Sequence, residues 1–133
     1  MSQENVEIVR QAVAAFDSGD VDRVFAVVRP DFEAHVVPEI SAEPDSYRGQ
    51  EGIRRYFDSF TEAFDEIRFE AEGLADAGDA VVVALRMTAI GKRTGIPVEQ
   101  RNAGVWTVAG GKIAGIQTYA ALADAMKAAG LEG

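Results

Sequence analysis

The apolar residues of this chain change their spacing near its midpoint, and that change limits the fold more than any motif does. Up to about residue 64 they recur every three to four positions: Val6, Val9, Val13 and Phe16, then Val21, Val24, Phe25 and Val28, then Ile53, Tyr56, Phe57, Phe60 and Phe64. That is the spacing of helices with one buried stripe. Beyond it the spacing falls to two. Ile67, Phe69 and Ala71 alternate with Arg68, Glu70 and Glu72, and three longer β-prone runs follow at Ala80 to Ile90, Ile96 to Val108 and Ile113 to Tyr119. These are half-buried strands.

Helices grouped before hairpin-linked strands specify an α+β arrangement with an antiparallel sheet. Local signals divide the helical half. Glu4 suits the positive end of the first helix, Gly19 stops it, Asp20 caps the second, and Pro30 forbids that helix from continuing. Phe32 to Val37 reads as a short strand, residues 38–46 as a loop rich in Pro and Ser, and Gly49 as the residue preceding the third helix. Asp76-Ala-Gly-Asp79 and Ala109-Gly-Gly111 are turns, and Leu122, Ala125, Met126 and Ala129 mark a short C-terminal helix. The expected order is α-α-β-α-β-β-β-β with a terminal helix. At 133 residues the chain fits one domain, 1–133. A curved sheet cupping three helices makes a cone open at one end, a natural site for a small molecule.

Composition removes several function classes. Lys plus Arg number 13 against 22 Asp plus Glu, a formal net charge of −9, which is unsuited to nucleic acid or an anionic membrane surface. No cysteine and a single histidine, His35, leave no thiolate chemistry and no metal cluster, so neither metal nor cofactor is expected. The N-terminus is polar, and no apolar run approaches the about 18 residues of a membrane span. A cytoplasmic protein is expected.

Particular segments resemble the NTF2-like superfamily and, within it, the SnoaL-like group related to ketosteroid isomerases. They are Glu4-Asn-Val-Glu-Ile-Val-Arg10, Ala14-Ala-Phe-Asp-Ser-Gly-Asp20, Asp31-Phe-Glu-Ala-His35, Tyr47-Arg-Gly49 and Glu51-Gly-Ile-Arg-Arg55. Asp76-Ala-Gly-Asp-Ala-Val-Val-Val83, Val105-Trp-Thr107 and Gly111-Lys-Ile113 complete them. The resemblance implies the cone fold, an apolar cavity, a homodimer joined through the outer sheet face, and either isomerase or cyclase chemistry beside a carbonyl or plain ligand binding. The isomerase catalytic groups are a tyrosine and two aspartates. Their positions fall here at Ala12, at about Val36 and at about Gly104, so none of the three is carried. The related cyclases place an acid or a histidine near the last of these positions.

If Gly104 faces the cavity, alternation places Gln100, Asn102, Trp106 and Val108 beside it, and Glu99, Arg101 and Thr107 outside. The partner strands would add Leu85 and Met87 with Val81 and Val83, and Ile116 and Thr118 with Ala114, leaving Arg86, Gln117 and Tyr119 outside. Tyr47, after the loop, and Tyr56, on the third helix, are candidate donors to a ligand oxygen. His35 is the candidate base, as the one side chain that titrates near neutrality unaided. Strict alternation turns it away from the cavity if Val36 points in, and a bulge would reverse that. Two readings stay open: an isomerase or cyclase using His35 with Tyr47 or Tyr56, and a non-catalytic binding module for a small apolar molecule. Arg54 and Arg55 read as solvated or paired with Glu51 and Asp58.

Overall fold

The computed structural model describes residues 2–36 and 46–131. Helix α1 (Ser2–Ser18) ends at Gly19, whose φ is 72°. The Asp20 carboxylate then accepts from the backbone N–H groups of Asp22 and Arg23 and caps α2 (Val21–Val27). The chain continues through β1 (Val28–His35), β2 (Ser46–Arg48), α3 (Gly49–Ala63), β3 (Phe64–Asp76), β4 (Ala80–Gly91), β5 (Pro97–Ala109), β6 (Lys112–Tyr119) and α4 (Leu122–Ala128).

The six strands form one open sheet in the order β2-β1-β6-β5-β4-β3. It is mixed rather than purely antiparallel. Hairpins force β3, β4, β5 and β6 to alternate in direction, whereas β1 reaches β6 through no hairpin and pairs with it in parallel. Three boundaries differ from the sequence reading. Strand β1 begins at Val28, so Pro30 lies inside a strand at a break in its register with β6, where a missing N–H costs least. Phe64 opens β3 instead of closing α3, and β2 is an additional short strand. Val37 and the loop 38–45 lie outside the described residues.

Helices α1, α2 and α3 fill the concave face. Val9, Ala12, Val13, Val24 and Ile53 meet Val81, Val83, Trp106, Val108, Ile113 and Ile116 in one buried cluster. Helix α4 takes the opposite face, burying Ala125 against Val82 and Ala103, with Met126 and Ala129 packed beside it. Leu122 stays 47% exposed and does not share that contact. In β6, Val108 pairs with Ile113 while Thr107 pairs with Gly115, so Ala114 is an extra residue. That bulge reverses the alternation, and Ala114 lies on the outer face rather than in the cavity.

One side-chain contact ties the end of α1 to the sheet across 51 residues of chain. Arg68 Nε and Nη2 donate to Asp17 Oδ1 and Oδ2 at 3.0 and 2.9 Å, and the Phe69 N–H donates to Oδ1 at 2.7 Å. The Arg68 hydrogen bond, more than the opposing burial, holds the Asp17 carboxyl below its ordinary value. A carboxylate with a depressed folded-state pKa stabilises the fold above its unfolded value, near 4, and loses that contribution as pH falls through the folded one. Asp17→Asn should lower stability by about 1–2 kcal/mol at pH 7, because a charge-assisted pair becomes neutral while Arg68 stays solvated. Urea melts across the acid range check this: the two proteins should differ at pH 7, and the difference should shrink as pH falls below the unfolded value.

Candidate functional site

Period two on β4 and β5 builds one wall of the site. The pairing runs in unbroken antiparallel register from Ala80 with Thr107 to Ile90 with Pro97. It sets Leu85 beside Asn102, and Met87 beside Gln100, all four facing the helices. Across β5, Trp106 pairs with Ile116 and Gly104 with Thr118. The opposite wall is α3. Its first turn lies so near β2 that a Cβ on Gly52 would stand 2.7 Å from the Tyr47 carbonyl carbon, a distance only glycine tolerates. That approach seats the Tyr47 ring against Tyr56, with centroids 5.4 Å apart and planes at 80°. Phe16, Phe57, Phe60 and Phe69 extend the edge-to-face and stacked contacts toward β3.

Between these walls lies a cavity of about 80 Å³, several times the roughly 10–15 Å³ that one water needs on the same measure. Nine predicted site residues line it together: Tyr47, Tyr56, Leu85, Met87, Gln100, Asn102, Trp106, Ile116 and Thr118. Sequence reasoning did not single out Val13, Phe32, Ala34 or Ser59, which line it as well. Spacing placed Val13 on the buried stripe of the first helix without separating cavity from core, and it gave no signal for the polar Ser59.

His35 stands elsewhere. Ala34 and Val36 point into the cavity, and the pleat therefore sends His35 with Glu33 to the outer face. There its Nε2 lies 3.1 Å from Glu33 Oε1 and its Nδ1 2.8 Å from Ser46 Oγ. Arg48, which also bonds Glu33, holds that carboxyl below its usual value, with His35 adding to the effect. The break in β1 lies between Val28 and Glu33, too early to turn the ring inward. The candidate base is thus outside the cavity it was expected to serve.

Arg54 and Arg55 are both exposed, as expected, and each also covers a ring. Arg54 sits over the Phe25 ring at 5.1 Å, while Arg55 covers the Tyr47 ring at 4.4 Å and donates to the Ser46 carbonyl.

The lining contains no carboxylate, no histidine, no lysine and no arginine among the described residues. Its polar groups are uncharged. Burial, and then the neighbouring Tyr47, push the Tyr56 phenol well above its ordinary pKa, so it is a neutral donor. The Tyr56 hydroxyl, the Asn102 amide and the Trp106 Nε1–H have no protein partner among the described residues, and no fully buried side-chain nitrogen or oxygen there is left unsatisfied. These three groups therefore open onto the cavity. Thr118 Oγ1 donates to the His35 carbonyl at 3.0 Å. Among the described residues, no group of three or more Asp, Glu or His side chains can hold a metal, and no helix is long and apolar enough to cross a membrane.

A curved open sheet that encloses an apolar, donor-bearing cavity with three helices defines an NTF2-like cone. Residues 9–116 match the model of the SnoaL-like domain, and the chain belongs to that family. Among solved structures it is similar to an NTF2-like protein from Burkholderia thailandensis, at 29% identity over 94% of this chain and 95% of that one, with a TM-score of 0.77. A putative SnoaL-like polyketide cyclase from Jannaschia is 21% identical over 96% and 92% of the two chains, with a TM-score of 0.72. A protein of ketosteroid isomerase-like fold from Catenulispora acidiphila, in complex with trimethylamine, is 20% identical over 94% and 93%, with a TM-score of 0.74. Among curated proteins no relative matches.

The cavity wall tolerates no ion. Met87 is 4% exposed and lies among apolar groups. Met87→Arg would bury a guanidinium with no carboxylate among the described lining residues and should lower stability by about 3 kcal/mol or more. Thermal melts check it, and an unchanged midpoint would mean that the residue faces water.

Proposed function

We propose that this protein binds a small, uncharged, largely apolar carbonyl compound in the cone, with the oxygen of the ligand accepting from Tyr56, Asn102 or Trp106. One observation carries this reading: three donors without protein acceptors among the described residues open onto a cavity whose described lining contains no charged side chain. The donors are accessible from the cavity, and a ligand carbonyl oxygen there supplies the acceptor that the described protein groups do not. An anionic ligand would enter a site with no cation among its described lining residues, at a large desolvation cost.

Family membership and the likeness to a polyketide cyclase support a site for this kind of molecule. For cyclase or isomerase chemistry, Tyr56 and Trp106 are suitable donors to a developing oxyanion, but no carboxylate or histidine lines the cavity among the described residues. The binding role is therefore the leading one. The protein acts as a single domain in the cytoplasm, as a two-fold homodimer joined through the part of the outer sheet face that α4 leaves open. Arg86, Glu99, Arg101 and Gln117 there offer a polar surface, with Tyr119 at its border where it packs beside α4. The net charge of −9 favours no nucleic-acid partner.

Trp106 is the sole tryptophan and lines the cavity, so its fluorescence reports occupancy directly. Titration with acetophenone should quench it saturably, and benzoate, of similar shape but charged, should bind at least about tenfold more weakly. His35→Ala should leave the acetophenone titration unchanged. Equal or tighter binding of benzoate would overturn the reading. In light scattering at micromolar concentration the protein should show twice the mass of its chain, and a monomer mass would remove the dimer.

A further inference from the structure

Position 104 determines where the cavity keeps its indole donor. Gly104 and Trp106 share the inward face of β5, two residues apart. The indole folds back along the strand over the glycine. A Cβ built on Gly104 would stand 2.9 Å from Trp106 Nε1 and 3.2 Å from its Cδ1, closer than such contacts are found. The other side of the ring is held by Phe16, edge-on with centroids 5.7 Å apart and planes at 79°. Any side chain at 104 must therefore displace the pyrrole edge of the indole. Nε1–H is a donor only, has no acceptor among the described residues, and lies on a residue that is 5% exposed.

We propose that Gly104 is a positioning residue whose missing side chain lets Trp106 aim its N–H into the cavity. Trp106 is thereby the specificity-determining residue that selects ligands with an uncharged acceptor oxygen over hydrocarbons of the same shape. This rests on the cavity being the ligand site. The physical basis is the asymmetry of buried hydrogen bonding: a donor meeting an apolar isostere loses its hydration and gains nothing in return.

The test compares acetophenone with 2-phenylpropene, which replaces the carbonyl oxygen by a methylene group at nearly the same volume. The single tryptophan gives one indole N–H resonance, followed in the ¹⁵N-labelled wild-type protein. Acetophenone should move that resonance downfield, and 2-phenylpropene should not. Wild-type protein should bind the ketone about three- to tenfold more tightly than the alkene, the range of one neutral hydrogen bond. Trp106→Phe keeps an aromatic wall without the N–H and should bring the two affinities together. Gly104→Ala should do the same while shifting the tryptophan emission in the absence of ligand. Should either variant fail to fold, the wild-type resonance and the wild-type preference still decide.

A preference that survives Trp106→Phe, or an indole resonance that ignores bound ketone, overturns the assignment of Trp106 and leaves the cavity as the ligand site. Failure of the wild-type protein to bind either compound overturns the cavity reading itself.

Discussion

The register between β4 and β5 governs the molecule. With Ala80 opposite Thr107 and Ile90 opposite Pro97, no bulge interrupts the pair, and the pleat alone sorts the side chains. Inward go Val81, Val83, Leu85 and Met87 from one strand and Gln100, Asn102, Gly104 and Trp106 from the other. Outward go Arg86, Glu99 and Arg101, which form a ladder with Glu70 and Glu72 of β3 at 2.7 to 3.3 Å. A slip of one residue would exchange the two sets, burying the ions and wetting the apolar wall. The ladder is exposed, so its value lies in opposing that slip more than in raw stability.

The helices convert this wall into a container. Valines and an isoleucine close its narrow end, where α1 and α2 meet the sheet. Toward the other end the lining becomes aromatic, and rings meeting at steep angles leave space that aliphatic side chains would fill. Charged residues surround the cone and none enters it among the described residues. A cavity of that kind discriminates by shape and by a few neutral donors, which is why the ligand is described by its lack of charge and by its acceptor.

Much of this was legible in the sequence, for identifiable reasons. The change in apolar spacing placed the helices and the long strands, and alternation from Gly104 put Gln100, Asn102, Trp106, Leu85 and Met87 on one face. Alternation also implied that His35 turns away if Val36 points in, which is the observed arrangement. What spacing could not supply was anything set by contacts distant in the chain. The parallel pairing of β1 with β6, the bulge at Ala114 and the seating of α4 on the outer face all depend on such contacts. The close approach of Gly104 to the Trp106 indole is local, yet it depends on a side-chain rotamer that no pattern of residue types encodes.

The central claim is that the inside of the cone, and not the groove beside His35 on the outer face, is where a neutral ligand rests. A crystal structure of the protein grown with acetophenone tests it most directly. The account predicts the ring among Phe16, Tyr56, Met87 and Trp106, with the carbonyl oxygen about 3 Å from a donor atom of Tyr56, Asn102 or Trp106. A ligand seated on the outer face against His35, Gln117 and Tyr119, with the cone unchanged, would contradict it.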